Sequence, residues 1–259
     1  RLRSNSFMRA VQSIQIQLLA VDEAHCISQW GHNFRPDYLK LARIAESRHV
    51  ERVLALPATA TPEVRDDICK TFQTEPQNSI CSEVLRPNLH IRSQIVESGN
   101  QTTVLIQRLK DALPGATIVY VSLQKTATDI ANACLNAGLN ARAYHAGMET
   151  DQRMETQEWF MSGDDGIVVA TIAFGMGIDK SNIRNVIHFN PPKSLENYSQ
   201  EIGRAGRDGE ISRCELLLNP DDRIVLENFT YGDTPTRASI LKFIQTLAGQ
   251  PDAFFISQI

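Results

Sequence analysis

At about 150 residues per domain, a chain of 259 residues holds one large domain or two small ones. With 42% hydrophobic and 22% charged residues it has the makings of a sizeable core, which excludes collagen, coiled-coil and disordered classes. A net charge of −4 argues against a generally basic, nucleic-acid-coating protein, so any nucleic-acid site has to be local.

Cysteines at 26, 69, 81, 134 and 214 are odd in number and lack C-x-x-C spacing. They encode neither a disulfide framework nor a cysteine zinc site, and a reducing cytosolic compartment fits them best. Apolar runs are only a few residues long and no charged-then-apolar leader opens the chain, so membrane insertion and secretion find little support.

Short runs of branched apolar residues predict buried strands at Leu18 to Val21, Val53 to Leu56, Ile118 to Val121, Ile167 to Ala170, Val186 to Ile187 and Leu216 to Leu218. Amphipathic stretches of helical period lie among them, at Leu39 to Ala45, Pro62 to Phe72, Thr126 to Ala137 and Asp151 to Phe160. This alternation predicts an α/β fold of parallel sheets covered by helices. The polar stretch from Glu97 to Gln101, just after Arg86-Pro87-Asn88, places a boundary near residue 97. Residues 1–97 then read as an incomplete first unit, 98–219 as a complete second one, and 220–259 as the start of a helical region. That last region has stretches at Asp221 to Phe229 and Pro235 to Leu247, with Thr234-Pro235 suited to a helix start.

The first strand runs directly into Asp22-Glu23-Ala24-His25, placing two carboxylates at a strand's carboxyl end, where ligands bind in open α/β sheets. One carboxylate can hold hydrated Mg²⁺ while the next orients and deprotonates a water attacking a γ-phosphate. Asp22 is the metal candidate and Glu23 the base; two adjacent acids taken alone more commonly mark a strand end followed by a solvated turn. The H-E-x-x-H of metalloproteases is absent, and the spacing of His25, Cys26 and His32 matches no standard zinc pattern.

Trp30, Phe34 and Tyr38 recur at a spacing of four, which in a helix would form a core stripe. Gly31 and Pro36 disfavour a continuous helix, so the rings are expected in a loop alternating with Gln29, His32 and Arg35. Rings beside cationic and amide groups suit single-stranded nucleic acid, whose bases stack and whose phosphates meet positive charge.

Ala20 to Tyr38 resembles the Walker B box and aromatic-rich loop of RecQ-family DNA helicases, with Asn33 where that family usually carries aspartate. Ala58-Thr59-Ala60-Thr61 resembles helicase motif III, and Thr61 also suits the cap of a helix starting at Pro62. Tyr120-Val121-Ser122 matches motif IV and Ala143 to Gly147 the box after it, which makes Ser122 and His145 candidate phosphate or nucleotide contacts. Val169 to Lys180 resembles motif V, implying a DNA contact for Thr171 and a nucleotide border at Gly177 and Asp179. Lys180 stands where a dinucleotide fingerprint would need its third glycine. Gln200 to Gly209 matches motif VI: Gln200, Arg204 and Arg207 fall at i, i+4 and i+7, so a single helix would project all three from one face, with Gly203 and Gly206 allowing close packing. Guanidiniums bind phosphate oxygens in a fork, which suits arginine fingers on a γ-phosphate.

The resemblance implies two RecA-like lobes, ATP and Mg²⁺ as cofactors, no zinc, and 3′–5′ translocation. It also implies single-stranded DNA and duplex junctions as partners, no membrane, and a cytoplasmic location, with the nucleoid if the source is bacterial. No G-x-x-x-x-G-K-[ST] phosphate loop occurs in the 259 residues, so an interior piece of a longer protein is expected, with the P-loop upstream of Arg1 and a winged-helix domain beyond Ile259. Such a first lobe should expose a sheet edge and apolar helix faces, and fold loosely over its first 95 residues. The alternatives are a nucleic-acid-binding piece without ATPase activity of its own and an RNA helicase with the same core.

Overall fold

The computed structural model describes residues 6, 9, 14–28, 34–58, 60–81, 86–175, 178–231 and 237–248. The chain forms two compact units, one of residues 1–89 with 194–204, the other of residues 90–193 with 205–259. The division falls between Leu89 and His90, earlier than residue 97, because β3 (Leu89–Ile95) joins the sheet of the second unit. Its sequence, Leu-His-Ile-Arg-Ser-Gln-Ile, is exposed at most positions and lacks the apolar run that marks the interior strands.

In the first unit, β1 (Leu18–Asp22) pairs in parallel with β2 (Arg52–Leu56). Side chains alternate across the two strands. Leu19, Val21, Val53 and Ala55 face a core with Ala24, Ile27, Val64 and Ile68, under α1 (Leu39–Ser47) and α2 (Pro62–Phe72). The opposite face carries Leu18, Leu54 and Leu56, each about half exposed. Only Val21 of β1 is buried, so this strand is covered on one face, whereas a fully buried strand was expected. Thr61 accepts the Val64 N–H at 3.4 Å through its hydroxyl, with Pro62 in the first turn, as its capping role predicts.

The second unit is a six-stranded sheet in the order β3-β8-β7-β4-β6-β5. Its remaining strands are β4 (Ala116–Tyr120), β5 (Ala141–Tyr144), β6 (Ile167–Ala170), β7 (Ile183–His188) and β8 (Ser212–Leu218). The pairs β5-β6, β6-β4, β4-β7 and β7-β8 are all parallel. Every residue of β4 and β6 is buried, as expected where helices cover both faces of a parallel sheet. Those helices include α3 (Gln101–Lys110) and α4 (Gln124–Asn136), whose Leu105, Leu109, Ile130 and Cys134 meet Val119, Val169 and Ile187 in the core. Burial among these apolar groups pushes the Cys134 thiol up to about 11. α5 (Thr150–Ser162) sends Phe160 against Phe174 at a centroid distance of 5.4 Å, and Phe174 in turn meets Tyr144 at 4.7 Å.

α6 (Leu195–Ile202) belongs to the first unit; α7 (Asp222–Tyr231) and α8 (Arg237–Ala248) follow β8. Asp222, buried at the start of α7, accepts from the Asn190 amide at 2.8 Å and ties that helix to the end of β7. Burial pushes its carboxyl above the usual range, against the lowering effect of the amides of Asn190 and Gln101.

A sheet of two strands protects its amides far less than the interior of a six-stranded one. Backbone amides of β1 are expected to exchange faster than those of β4 by two or more orders of magnitude. Hydrogen–deuterium exchange read by mass spectrometry checks this, and equal protection of the two strands would contradict it.

Candidate nucleotide and nucleic-acid site

In the first unit, parallel pairing brings the carboxyl ends of β1 and β2 to one edge, with Asp22 opposite Leu56. Asp22-Glu23 and Ala58 to Thr61 therefore leave the sheet side by side; Thr59 lies outside the described residues. Glu23 takes φ +53°, a left-handed conformation uncommon for a residue with a β-carbon. Its N–H donates to Asp22 Oδ1 at 2.9 Å, and its Oε2 lies 3.2 Å from Nδ1 of buried His25. The strand thus ends in a tight turn that leaves both carboxylates exposed above a buried 3₁₀ turn, Ala24–Ile27. Strained backbone of this kind concentrates at functional sites, a signal that residue types alone do not carry.

Gln29, Trp30, His32 and Asn33 lie outside the described residues. The loop is pinned where it starts, by buried Ser28 donating to Asp67 of α2 at 2.6 Å, and where it returns, by the Arg35 N–H on the Cys26 carbonyl at 2.8 Å. Phe34 is half-buried and Arg35 exposed, both outside any helix. Tyr38 ends a 3₁₀ turn and is partly buried, with its ring packed against the core of the first unit.

The second sheet sorts its candidates by strand polarity. Ser122, His145 and Thr171 follow β4, β5 and β6 and so share the carboxyl edge. The Ser122 N–H donates to Asn190 at 3.1 Å, and His145 Nε2 lies 3.2 Å from the Thr128 hydroxyl of α4. Thr171 is 8% exposed and offers little surface to a phosphate.

From Thr171 the chain crosses to the amino end of β7. Phe174 anchors this crossing, with its carbonyl accepting from the Tyr120 hydroxyl at 3.2 Å; Gly177 lies outside the described residues. Lys180 is buried and donates to the carbonyls of Met161 and Gly163 at 3.2 and 2.7 Å, closing the carboxyl end of α5, where a cation meets the helix dipole. Beside it, Asp179 has a side chain 86% exposed and pairs with Arg207 Nη1 at 2.6 Å.

Gln200, Arg204 and Arg207 do not share one helix. α6 ends at Ile202, Gly203 closes it, and Gly206 turns at φ +56° to donate its N–H to the Ile183 carbonyl at 2.9 Å. Glycine takes this left-handed turn without strain, so Gly206 redirects the chain after the helix has already closed. Gln200 lies on α6, Arg204 in the turn just after it, and Arg207 in the following loop. Arg86, which sequence reading assigned no role, donates to the Gly203 carbonyl at 2.7 Å within the first unit. No local pattern marks a contact across 117 positions.

Parallel, helix-flanked sheets carrying an acidic pair in the first unit and an exposed arginine loop in the second define a core of RecA-like helicase lobes. S. cerevisiae Dbp5 bound to RNA and ADP BeF3 shares the fold at a TM-score of 0.65 and 18% identity, over 94% of this chain and 65% of that one. Residues 100–209 match the helicase conserved C-terminal domain. The chain is 44% identical to the ATP-dependent DNA helicase RecQ of Bacillus subtilis over 87% of its own length, and 39% identical to that of Pasteurella multocida over 86%. Over most of its own length it is similar to the RecQ-type helicases, and it spans 38% and 35% of the lengths of those two relatives.

Exposed ion pairs contribute little, whereas a buried ammonium closing a helix end leaves carbonyls unpaired when removed. Asp179→Asn is expected to change the unfolding free energy of the second unit by less than about 1 kcal/mol. Lys180→Ala is expected to lower it by about 2–3 kcal/mol. Urea unfolding of the two variants checks the contrast.

Proposed function

We propose that the chain forms part of an ATP-dependent 3′–5′ DNA helicase, in which ATP hydrolysis drives single-strand translocation and duplex unwinding. The observation that carries this reading is the acidic pair at the end of β1, held in a left-handed turn at Glu23. The RecQ-type relatives, named as ATP-dependent DNA helicases, support DNA over RNA as the substrate.

Asp22 is exposed, with Oδ1 held by a backbone N–H. A single carboxylate facing water suits Mg²⁺, which gives up its own waters reluctantly. Bound there, Mg²⁺ would neutralise charge on the phosphates. Glu23 would take the proton of the attacking water, with His25 at 3.2 Å steadying its carboxylate. Arg207 and Arg204 would bind the γ-phosphate, and Gln200 the water or phosphate beside them. Gly177 and Asp179 would border the nucleotide.

Ser122 and His145, at the carboxyl edge of the second sheet, would meet DNA phosphates. The loop of Gln29, Trp30, His32, Phe34 and Arg35 would stack bases and report their presence to the adjacent Asp22-Glu23 turn. Single strands next to duplex junctions are the substrate this suits, and a location with chromosomal DNA follows. Because no phosphate loop occurs in these 259 residues, we also infer that this stretch alone binds nucleic acid without turning over ATP.

In the full-length protein, Glu23→Gln is expected to lower DNA-stimulated kcat by roughly 10²- to 10⁴-fold while DNA binding persists. Steady-state ATPase assays with single-stranded DNA or RNA as activator test this. Retained hydrolysis would exclude Glu23 as the base, and equal stimulation by RNA would overturn the DNA assignment.

A further inference from the structure

Arg207 can act on a phosphate only if its loop is held in place, yet its own partner, Asp179, stands in water. We propose that Arg184 is a positioning residue for this arginine loop, acting through Asp208 and seated on Gly115. The inference rests on the reading of Arg207 as a phosphate contact.

Arg184 lies on β7, and its side chain is only 12% exposed. One guanidinium nitrogen, Nη2, pairs with the Asp208 carboxylate. The other, Nη1, donates to the Ser212 hydroxyl at 3.1 Å and to the Ile211 carbonyl at 3.4 Å. Ser212 is fully buried and donates in turn to the Ile183 carbonyl at 3.2 Å, so the fork is fixed to the sheet. Asp208 directly follows Arg207, and its second oxygen accepts the Glu210 N–H at 3.1 Å. Backbone bonds from Gly206 to Ile183 and from Asp208 to Ser181 fasten the same loop to the amino end of β7. The loop is thereby held by its backbone on both sides of Arg207, and Arg184 supplies the side-chain tether.

Gly115, just before β4, completes the seat. Its φ is +135°, and a β-carbon there would be driven into the aliphatic part of Arg184. Glycine is needed at this position for the conformation and for the space the arginine stem occupies. A planar fork that binds a carboxylate and two neutral acceptors together cannot be reproduced by a lysine, whose ammonium is a point charge. Misplacing a catalytic group by about 1 Å costs on the order of 10²-fold in rate. Because an arginine finger acts on charge that develops in the transition state, the loss should fall on kcat and spare KM for ATP.

The experiment compares Arg184→Ala, Arg184→Lys, Asp208→Asn, Gly115→Ala and Arg207→Ala in the full-length protein, measuring kcat and KM of DNA-stimulated ATPase beside thermal unfolding. The first, third and fourth are expected to lower kcat on the order of 10- to 100-fold, with KM for ATP changed less than about threefold. Arg184→Lys is expected to fall in the same way, because the fork is lost. If Arg184→Ala does not fold, Asp208→Asn and Gly115→Ala carry the test. Wild-type kcat in these variants, while Arg207→Ala is inactive, would overturn the role of Arg184 and leave the phosphate contact standing. A fall in kcat matched by an equal rise in KM and a loss of folded protein would make the pair merely structural, which also overturns it. Wild-type hydrolysis by Arg207→Ala would instead sink the function proposed for the loop.

Discussion

Parallel strand pairing is the constraint on which the arrangement of this protein depends. When neighbouring strands run the same way, all their carboxyl ends reach one edge, and the loops leaving them become neighbours whatever their separation in sequence. In the first unit this sets Asp22 and Glu23 beside the segment after Leu56. In the second it gathers Ser122, His145 and Thr171, which lie tens of residues apart along the chain. The same constraint sends Asp179 and Arg207 elsewhere. The segment after β6 has to cross the sheet before β7 can begin, and it delivers Asp179 to the amino end of β7, where the turn at Gly206 also brings Arg207.

The crossing segment and the arginine loop share a design: buried anchors hold exposed tips. Phe174 and Lys180 are nearly inaccessible and bind ring faces and helix carbonyls, while Asp179 next to Lys180 is almost wholly in water. Arg184 and Ser212 are held inside, while Arg207 is more open. Fixed groups of this kind stabilise developing charge without having to reorganise when it appears. An exposed Asp179–Arg207 pair adds little stability, so under the proposed function the guanidinium could exchange its carboxylate for a phosphate at little cost.

The two units differ in how far their strands are covered. β4 and β6 have neighbours on both sides and helices over both faces, and all of their residues are buried. Among the described residues, β1 and β2 pair with each other and have one covered face, with Leu18, Leu54 and Leu56 partly in water. All four strands have apolar interiors, and apart from the charged ends Asp22 and Arg52 little in their composition separates the two situations. Burial depends on what packs against a strand, which lies outside the strand's own sequence.

Much of the fold was legible along the chain. Runs such as Ile167 to Ala170 and the helical period of Pro62 to Phe72 mark elements whose bounds the structure reproduces, because each pattern is local and repeats at the period of its own backbone. β3 and β5 went unread: one is polar and exposed, and the other is four residues with an arginine among them. Of the candidate site, the chemical types were plain in the order of acids, hydroxyls and arginines, since chemistry travels with the residue. Tertiary structure alone decided that the helix carrying Gln200 closes at Gly203, short of Arg207, that Thr171 is buried, and that Arg184, Gly115 and Lys180 brace residues far from them in sequence. Side-chain partners are chosen by strand order and loop crossing, and no periodicity along the chain records which distant residues those bring together.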